Sequence, residues 1–126
     1  MVRIDGQGTA VYCSVPWLIS SIPGNINHGA PAVEYLQANR VRRIAMQEMA
    51  RILAGVDVFL TPTFGDNLRI TNLTGHPAVV VPNGFRANGT PTSVTFCGNL
   101  FQDSEAMLLA RAYQEATEFH LRHPVL

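Results

Sequence analysis

Four histidines (His28, His76, His120, His123), two cysteines (Cys13, Cys97) and the pair Ser20-Ser21 are the side chains from which a metal site or a nucleophilic centre would have to be assembled in this chain of 126 residues. His120 and His123 stand three apart near the expected end of a helix, a spacing at which two imidazoles can share one metal ion. No Cys, Asp or Glu at plausible spacing completes a tetrahedral set. Cationic or polar side chains also favour the negative end of a helix, so capping accounts for the pair, and no metal or other cofactor is expected. Ser93, His76 and Asp66 supply the residue types of an acyl-transfer triad, yet nothing in their spacing selects them. All nine basic residues are arginine. Without lysine the chain can build no Walker-type phosphate loop, no Schiff base and no lysine general base. Asp5-Gly6-Gln7-Gly8 is a loop with two glycines and nothing more. No catalytic residue is therefore assigned.

The bulk properties narrow the classes further. A chain of 13.8 kDa holds one core at most. Formal net charge is zero, with a pI near 6.9 and 14% charged residues, so there is no field to gather phosphates or anionic lipid. Nucleic acid and membrane surfaces are not expected as partners. Hydrophobic residues make up 47% of the chain, but no apolar run approaches the roughly 20 residues of a spanning helix, and the start has no basic region followed by an apolar stretch. The expectation is a cytoplasmic protein with both cysteines reduced, serving as small buried hydrophobes. Asn72-Leu73-Thr74 and Asn88-Gly89-Thr90 match a glycosylation acceptor pattern that such a location would leave unused.

Several elements must position whatever site exists. Residues 1 to 30 are punctuated by glycine and proline and predict loops with at most one short strand or helix. From Pro31, apolar positions recur at Val33, Leu36, Val41, Ile44, Ala45, Met49 and Ile52, a long amphipathic helix ending near Gly55 with Arg40, Arg43, Gln47 and Arg51 on its exposed stripe. Val56 to Leu60 reads as a short buried strand closed by Thr61-Pro62-Thr63. Phe64 to Thr74 is polar and at best partly helical. Ala78 to Val81 and Ser93 to Cys97 are two further strands, an antiparallel pair whose connecting loop contains two Asn-Gly steps able to supply positive φ. Asp103 or Ser104 can cap a last helix with Leu108, Leu109, Ala112, Ala116 and Phe119 on one apolar face, ending before Pro124. The sum is an α/β arrangement: about three strands in a small mixed sheet, packed with one long helix and one C-terminal helix.

Order and spacing of particular residues add a family to this outline. Asp57 opens a strand that ends in Pro62-Thr63. Asn72, Gly75 and Pro77 form an Asn-x-x-Gly-x-Pro segment, followed by Pro82-Asn83-Gly84-Phe85, a Gly89-x-Pro91 turn, a strand ending at Gly98 and a helix that stops before Pro124. Upstream, Glu34 to Arg42 supplies the long helix that precedes the Asp57 strand. Over roughly residues 30 to 124 this pattern resembles the C-terminal segment of amidase-signature hydrolases, a family that includes the amidotransferase A subunits, and the resemblance implies a partial amidase-signature fold. Gly75 and Gly89 suit turns, Gly98 allows a close approach at a strand end, and Asn72 could hold its loop through side-chain hydrogen bonds.

That family cleaves amides with a serine, a cis-peptide serine and a lysine, none of which this chain supplies. Ser20-Ser21, set in Ile19-Ser20-Ser21-Ile22-Pro23-Gly24, has neither the glycine-serine context nor the lysine base. The resemblance thus implies a C-terminal scaffold and cleft wall over residues 31 to 126, preceded by an irregular segment of residues 1 to 30, inactive alone and acting on a small amide only when completed. The expected partner is the remaining N-terminal part of an amidase, or a second copy of the chain. The alternative is a non-catalytic interaction or assembly module that keeps the same fold. Because α/β sites gather at strand ends, Phe64, Gly65, Asp66 and Asn67 are the candidate substrate-binding residues, with Asn72 and Thr74 behind them. Glutamine-using relatives carry a longer segment between Pro-Thr and Asn-x-x-Gly than Phe64 to Thr71.

Overall fold

A computed structural model of the chain describes residues 2–4, 10–12 and 31–124. Strands β1 (Val2–Ile4) and β2 (Ala10–Tyr12) precede helix α1 (Ala32–Ile52) and strand β3 (Val58–Pro62). Helix α2 (Asp66–Thr74), strands β4 (Ala78–Phe85) and β5 (Pro91–Gly98), helix α3 (Asp103–Thr117) and a 3-10 turn at Phe119–Leu121 complete the order. The strands form one sheet in the order β2-β1-β3-β5-β4. The three strands expected from the sequence are β3, β5 and β4. The sheet, expected to be mixed, is antiparallel in every described pairing, and β1 and β2 add a short ribbon beside β3. Cys13, Ser20-Ser21, His28 and the loop Asp5-Gly6-Gln7-Gly8 lie outside the described residues.

Pleating decides which side chain meets which helix, because successive residues of a strand face opposite ways. Phe59 and Cys97 face α1 and α2, where they form a core with Ala45, Met49, Leu53, Val56 and Ile70. Val58, Leu60, Val94 and Phe96 face the other way and pack with Val79, Val81, Ala110 and Tyr113. The Phe96 and Tyr113 rings sit 5.5 Å apart at a tilt of 55°, a favourable edge-oriented pair. Each large side chain buried in these layers contributes roughly 1.5–3 kcal/mol. Helices therefore cover both faces of the sheet.

Local chemistry explains the ends of the elements. β4 continues past Val81 to Phe85 although it contains Pro82. It is the last strand of the sheet, so the N–H missing from Pro82 is not needed for an inner ladder. A register shift between Pro82 and Gly84, with Gly84 at φ 125°, absorbs the irregularity. The hairpin to β5 turns through Gly89 at φ 79°, closed by Arg86 N–H donating to Thr90 O at 2.8 Å. Asn88 Oδ1 accepts from the Thr90 hydroxyl at 2.7 Å.

Helix α3 departs from its sequence reading in two ways. Neither Asp103 nor Ser104 caps it: Gln102 holds the cap position without a side-chain bond, and the Ser104 hydroxyl donates to Glu105 at 2.9 Å. The buried face is Ala106 and Ala110, whereas Leu108 and Leu109 are exposed together with Met107. Small side chains let the helix approach the end of β5 closely, and that choice turns the leucines outward. Helix α1 likewise buries only its second half, through Ala45 and Met49; Val33, Leu36 and Ile44 are exposed. Its arginine stripe is exposed as expected. Arg42 Nε donates to Leu73 O at 2.6 Å and ties α1 to the end of α2.

Candidate functional site

The register that builds the sheet also lays out a groove. Thr61 stands opposite Thr95, and Thr95 opposite Val80, so their side chains form one row on the face shared with α1 and α2. The next row is Phe59, Cys97 and Ala78. The two helices cover Phe59 and Cys97 but stop short of β4, where Ala78 is exposed and Val80 is 54% exposed. What remains is a groove of about 210 Å³ with Thr61, Thr95 and Cys97 from the sheet, Leu68 and Thr71 from α2, Ala78 and Val80 from β4, and Pro62, Thr63 and Phe64 from the turn after β3.

Its hydroxyls are held in place by one another and by the backbone. Thr95 Oγ1 donates to Thr63 Oγ1 at 3.2 Å, and Thr63 shares a hydrogen bond of 2.8 Å with Ser93 Oγ. Asn67 Nδ2 donates to Thr61 Oγ1 at 2.8 Å, and Thr71 Oγ1 donates to the Asn67 carbonyl at 2.9 Å. Among the described residues, no Asp, Glu, Lys, Arg or His lines the groove. The one titratable group in that lining, the Cys97 thiol, is pushed up to about 11 by burial, so at neutral pH it is a small apolar wall and no nucleophile.

The six candidate residues divide. Phe64 lines the groove at its rim and is 83% exposed. Asn67 buttresses it through Thr61. Gly65, at φ 151°, and Asp66 open α2 and are exposed outside the lining, and Asn72 is exposed on the same helix. Thr74 is buried at the end of α2, with its hydroxyl 2.7 Å from Ile70 O and 2.6 Å from His76 Nδ1. The hydroxyls of Thr71 and Thr74 thus do the holding expected of Asn72. Burial lowers the pKa of His76 by disfavouring the charged ring.

Ser93, His76 and Asp66 do not form a triad: Ser93 is bonded to Thr63 and His76 to Thr74. His120 sits in the 3-10 turn beyond α3, and both it and His123 are exposed. Among the described residues, no group of three or more His, Cys, Asp and Glu is placed to hold a metal. Sequence reasoning named Phe64 alone among the ten described lining residues and missed the other nine, Leu68, Thr71, Val80 and Thr95 among them. Its available signal was the alternation Thr61, Thr63 and Ser93, Thr95, Cys97, a period-two series of small and hydroxylated residues on one sheet face.

A larger depression of about 650 Å³ runs along the outer face of α3 between Met107, Leu108, Arg111 and Glu115. It is wide open and built on one helix, with its Arg111–Glu115 ion pair standing in solvent. The smaller groove, with polar groups fixed by tertiary contacts, is the better site.

The Asp57 strand, the Asn72 to Pro77 turn, the β4–β5 hairpin and the final helix occur in the order of an amidase-signature C-terminal segment. Comparison with curated proteins shows the same kinship. The chain is similar to the glutamyl-tRNA(Gln) amidotransferase A subunit of Ralstonia pickettii (strain 12J), 32% identical over 79% of this chain and 25% of that protein. The corresponding protein of Ralstonia nicotianae is 32% identical over 79% of this chain and 24% of its own length. That of Synechococcus elongatus is 32% identical over 73% and 23%. The chain therefore spans about a quarter of the length of the curated relatives it matches. It is related to the amidase-signature family over that quarter, in keeping with a C-terminal segment. No family model matches the chain. No helix among the described residues is long and apolar enough to cross a membrane.

Proposed function

We propose that this chain supplies the C-terminal scaffold and cleft wall of an amidase-like hydrolase acting on a carboxamide C–N bond. Residues 31 to 126 form the wall, and the remaining N-terminal part of an amidase provides the nucleophile, the base and the oxyanion donors. The observation that carries this reading is the match to about a quarter of the amidotransferase A subunits, on a chain with no lysine to serve as the base. The groove supports it. A partly uncovered sheet face next to a strand end is where a second body would close a cleft.

Reconstitution tests the proposal. The purified chain is mixed with the N-terminal three quarters of an amidase-signature relative, and ammonia release from simple amides is followed alongside each part alone. Release only from the mixture is the expected result. Release from this chain alone, or none from a mixture that light scattering shows to be a complex, would overturn it. Exposed Met107, Leu108 and Leu109 on α3 favour one second reading, a non-catalytic module that assembles through this helix. A cooperative homo-oligomer that ignores the N-terminal body would support that reading instead.

A further inference from the structure

The chemistry of the groove limits what it can accept. The ten described residues of its lining carry no formal charge at neutral pH, since the only titratable one among them is the buried Cys97 thiol. Thr61, Thr71 and Thr95 already spend their hydroxyl hydrogens on Pro62 O, Asn67 O and Thr63 Oγ1. An ammonium or carboxylate entering this space would lose hydration without gaining a counter-charge, which costs several kcal/mol. An apolar group would meet the side chains of Leu68, Val80 and Ala78 and lose nothing polar. The volume, about 210 Å³, lies below the roughly 300 Å³ at which pockets for drug-sized ligands begin.

We propose that this groove seats a small uncharged apolar substituent of a carboxamide substrate, and that Leu68 and Val80 set the size it accepts. The proposal rests on the reading of the chain as an amidase cleft wall and deepens it by naming the substrate class. Glutamine, which carries an ammonium and a carboxylate beside its amide, is rejected. Asp66 and Arg69 are exposed on α2 close by in sequence, but neither belongs to the lining. Leu68 is the helix-borne wall and Val80 the strand-borne one, so a larger residue at either position narrows the groove from its own side. Val80 is the better test position because it is more than half exposed on the last strand of the sheet. A long side chain there can occupy the groove without displacing the core.

The test is a titration of the full chain, carrying labelled Leu and Val methyl groups, with benzamide and separately with glutamine. Saturable benzamide shifts at the Leu68 and Val80 methyls, with glutamine silent at equal concentration, are expected. Val80→Arg should weaken benzamide binding at least tenfold while the remaining methyl spectrum stays native, and Leu68→Trp should do the same from the opposite wall. The proposal is overturned if benzamide gives no saturable shift, if glutamine moves the same methyls equally, if benzamide moves only Leu108 and Leu109 on α3, or if both variants bind benzamide like the parent. Reconstitution fails or succeeds independently of these shifts. A chain that completes a hydrolase but does not bind benzamide sinks this proposal alone; the reverse pattern sinks the hydrolase reading.

Discussion

Replacing Gly98 by alanine tests the packing of α3 against the sheet in the most direct way. An ideal Cβ at this position lies 2.6 Å from the Gln102 carbonyl oxygen, 3.3 Å from Pro77 Cγ and 3.5 Å from Ala106 Cβ. Comfortable carbon to oxygen contacts begin at about 3.3 Å, so the first of these is a severe overlap. The obstacle is backbone at the start of α3 and cannot rotate away. Relief requires the first turn of the helix to lift off β5, which loosens the seats of Ala106 and Ala110 and pulls on the Gly98 N–H bond to Pro77 O, 3.0 Å long. Overpacking of this kind costs about 1–3 kcal/mol, and a backbone obstacle places Gly98→Ala in the upper half of that range. At this chain length 1 kcal/mol corresponds to roughly 4 °C, so Tm should fall by roughly 8–12 °C. Gly75→Ala is the control. Its φ is 82° with nothing within 4 Å of the new Cβ, so only the left-handed backbone penalty of roughly 1 kcal/mol applies. Urea titrations with unchanged m values would measure both. If Gly98→Ala stays within about 0.5 kcal/mol of the parent, or costs less than Gly75→Ala, the close approach of α3 to β5 is wrong.

The buried polar groups make further predictions. Burial lowers His76 below its ordinary 6.5, so as pH falls the unfolded chain takes up this proton first. Stability is unaffected by His76 above the unfolded pKa and declines from there down through the lowered folded value. His76→Gln should flatten the part of the urea midpoint profile that lies below the ordinary histidine value of 6.5; a parallel profile would refute it. Thr74→Val leaves His76 Nδ1 without its 2.6 Å partner and should cost about 1–3 kcal/mol in the same assay, with no measurable loss counting against the pair. In a Cys13→Ser background, the Cys97 thiol, raised to about 11 and buried, should resist a disulfide reagent at mildly alkaline pH and react promptly in urea. Reaction of the native chain at the rate of a free thiol would contradict its burial.

Several of these features are legible in the residues and others are not, for physical reasons. The three principal strands, the long helix and the turn glycines follow from period and φ preference, which are local properties. Helix α2 reads as partly helical at best because Asp66-Asn67-Leu68-Arg69-Ile70-Thr71-Asn72-Leu73-Thr74 is polar with modest helix propensity. It forms through tertiary anchoring: Ile70 is fully buried, and the Thr71 and Thr74 hydroxyls turn back onto carbonyls of their own helix. The length of β4 is hidden by Pro82, which signals a strand end unless the strand is known to lie last in the sheet. The face of α3 is misjudged because leucine outweighs alanine in any count of apolar positions, whereas close packing on a glycine-ended strand selects alanine. The groove is half visible. The strand-end rule leads to Phe64 and Asn67 and the alternation of hydroxyls points to Thr95, but Val80 enters only through register, which a sequence does not print.

The distribution of uncovered apolar surface bears on which kind of partner the chain meets. Met107, Leu108 and Leu109 are exposed on α3, on one side of the sheet, while Val33, Leu36 and Ile44 are exposed on α1, on the other. The groove opens on the α1 side as well, beyond the reach of α2. A single two-fold contact through α3 would bury the leucines of both copies and leave α1 and the groove in water, since an isologous interface uses one patch twice. A body that reaches around the sheet can cover both sides and also close the groove, and the relatives, about four times as long as the matched segment, have the chain to build one. The exposed half of α1 is therefore the feature that separates the two readings. A wall of a larger cleft can use it, and a module that dimerises through α3 leaves it in water.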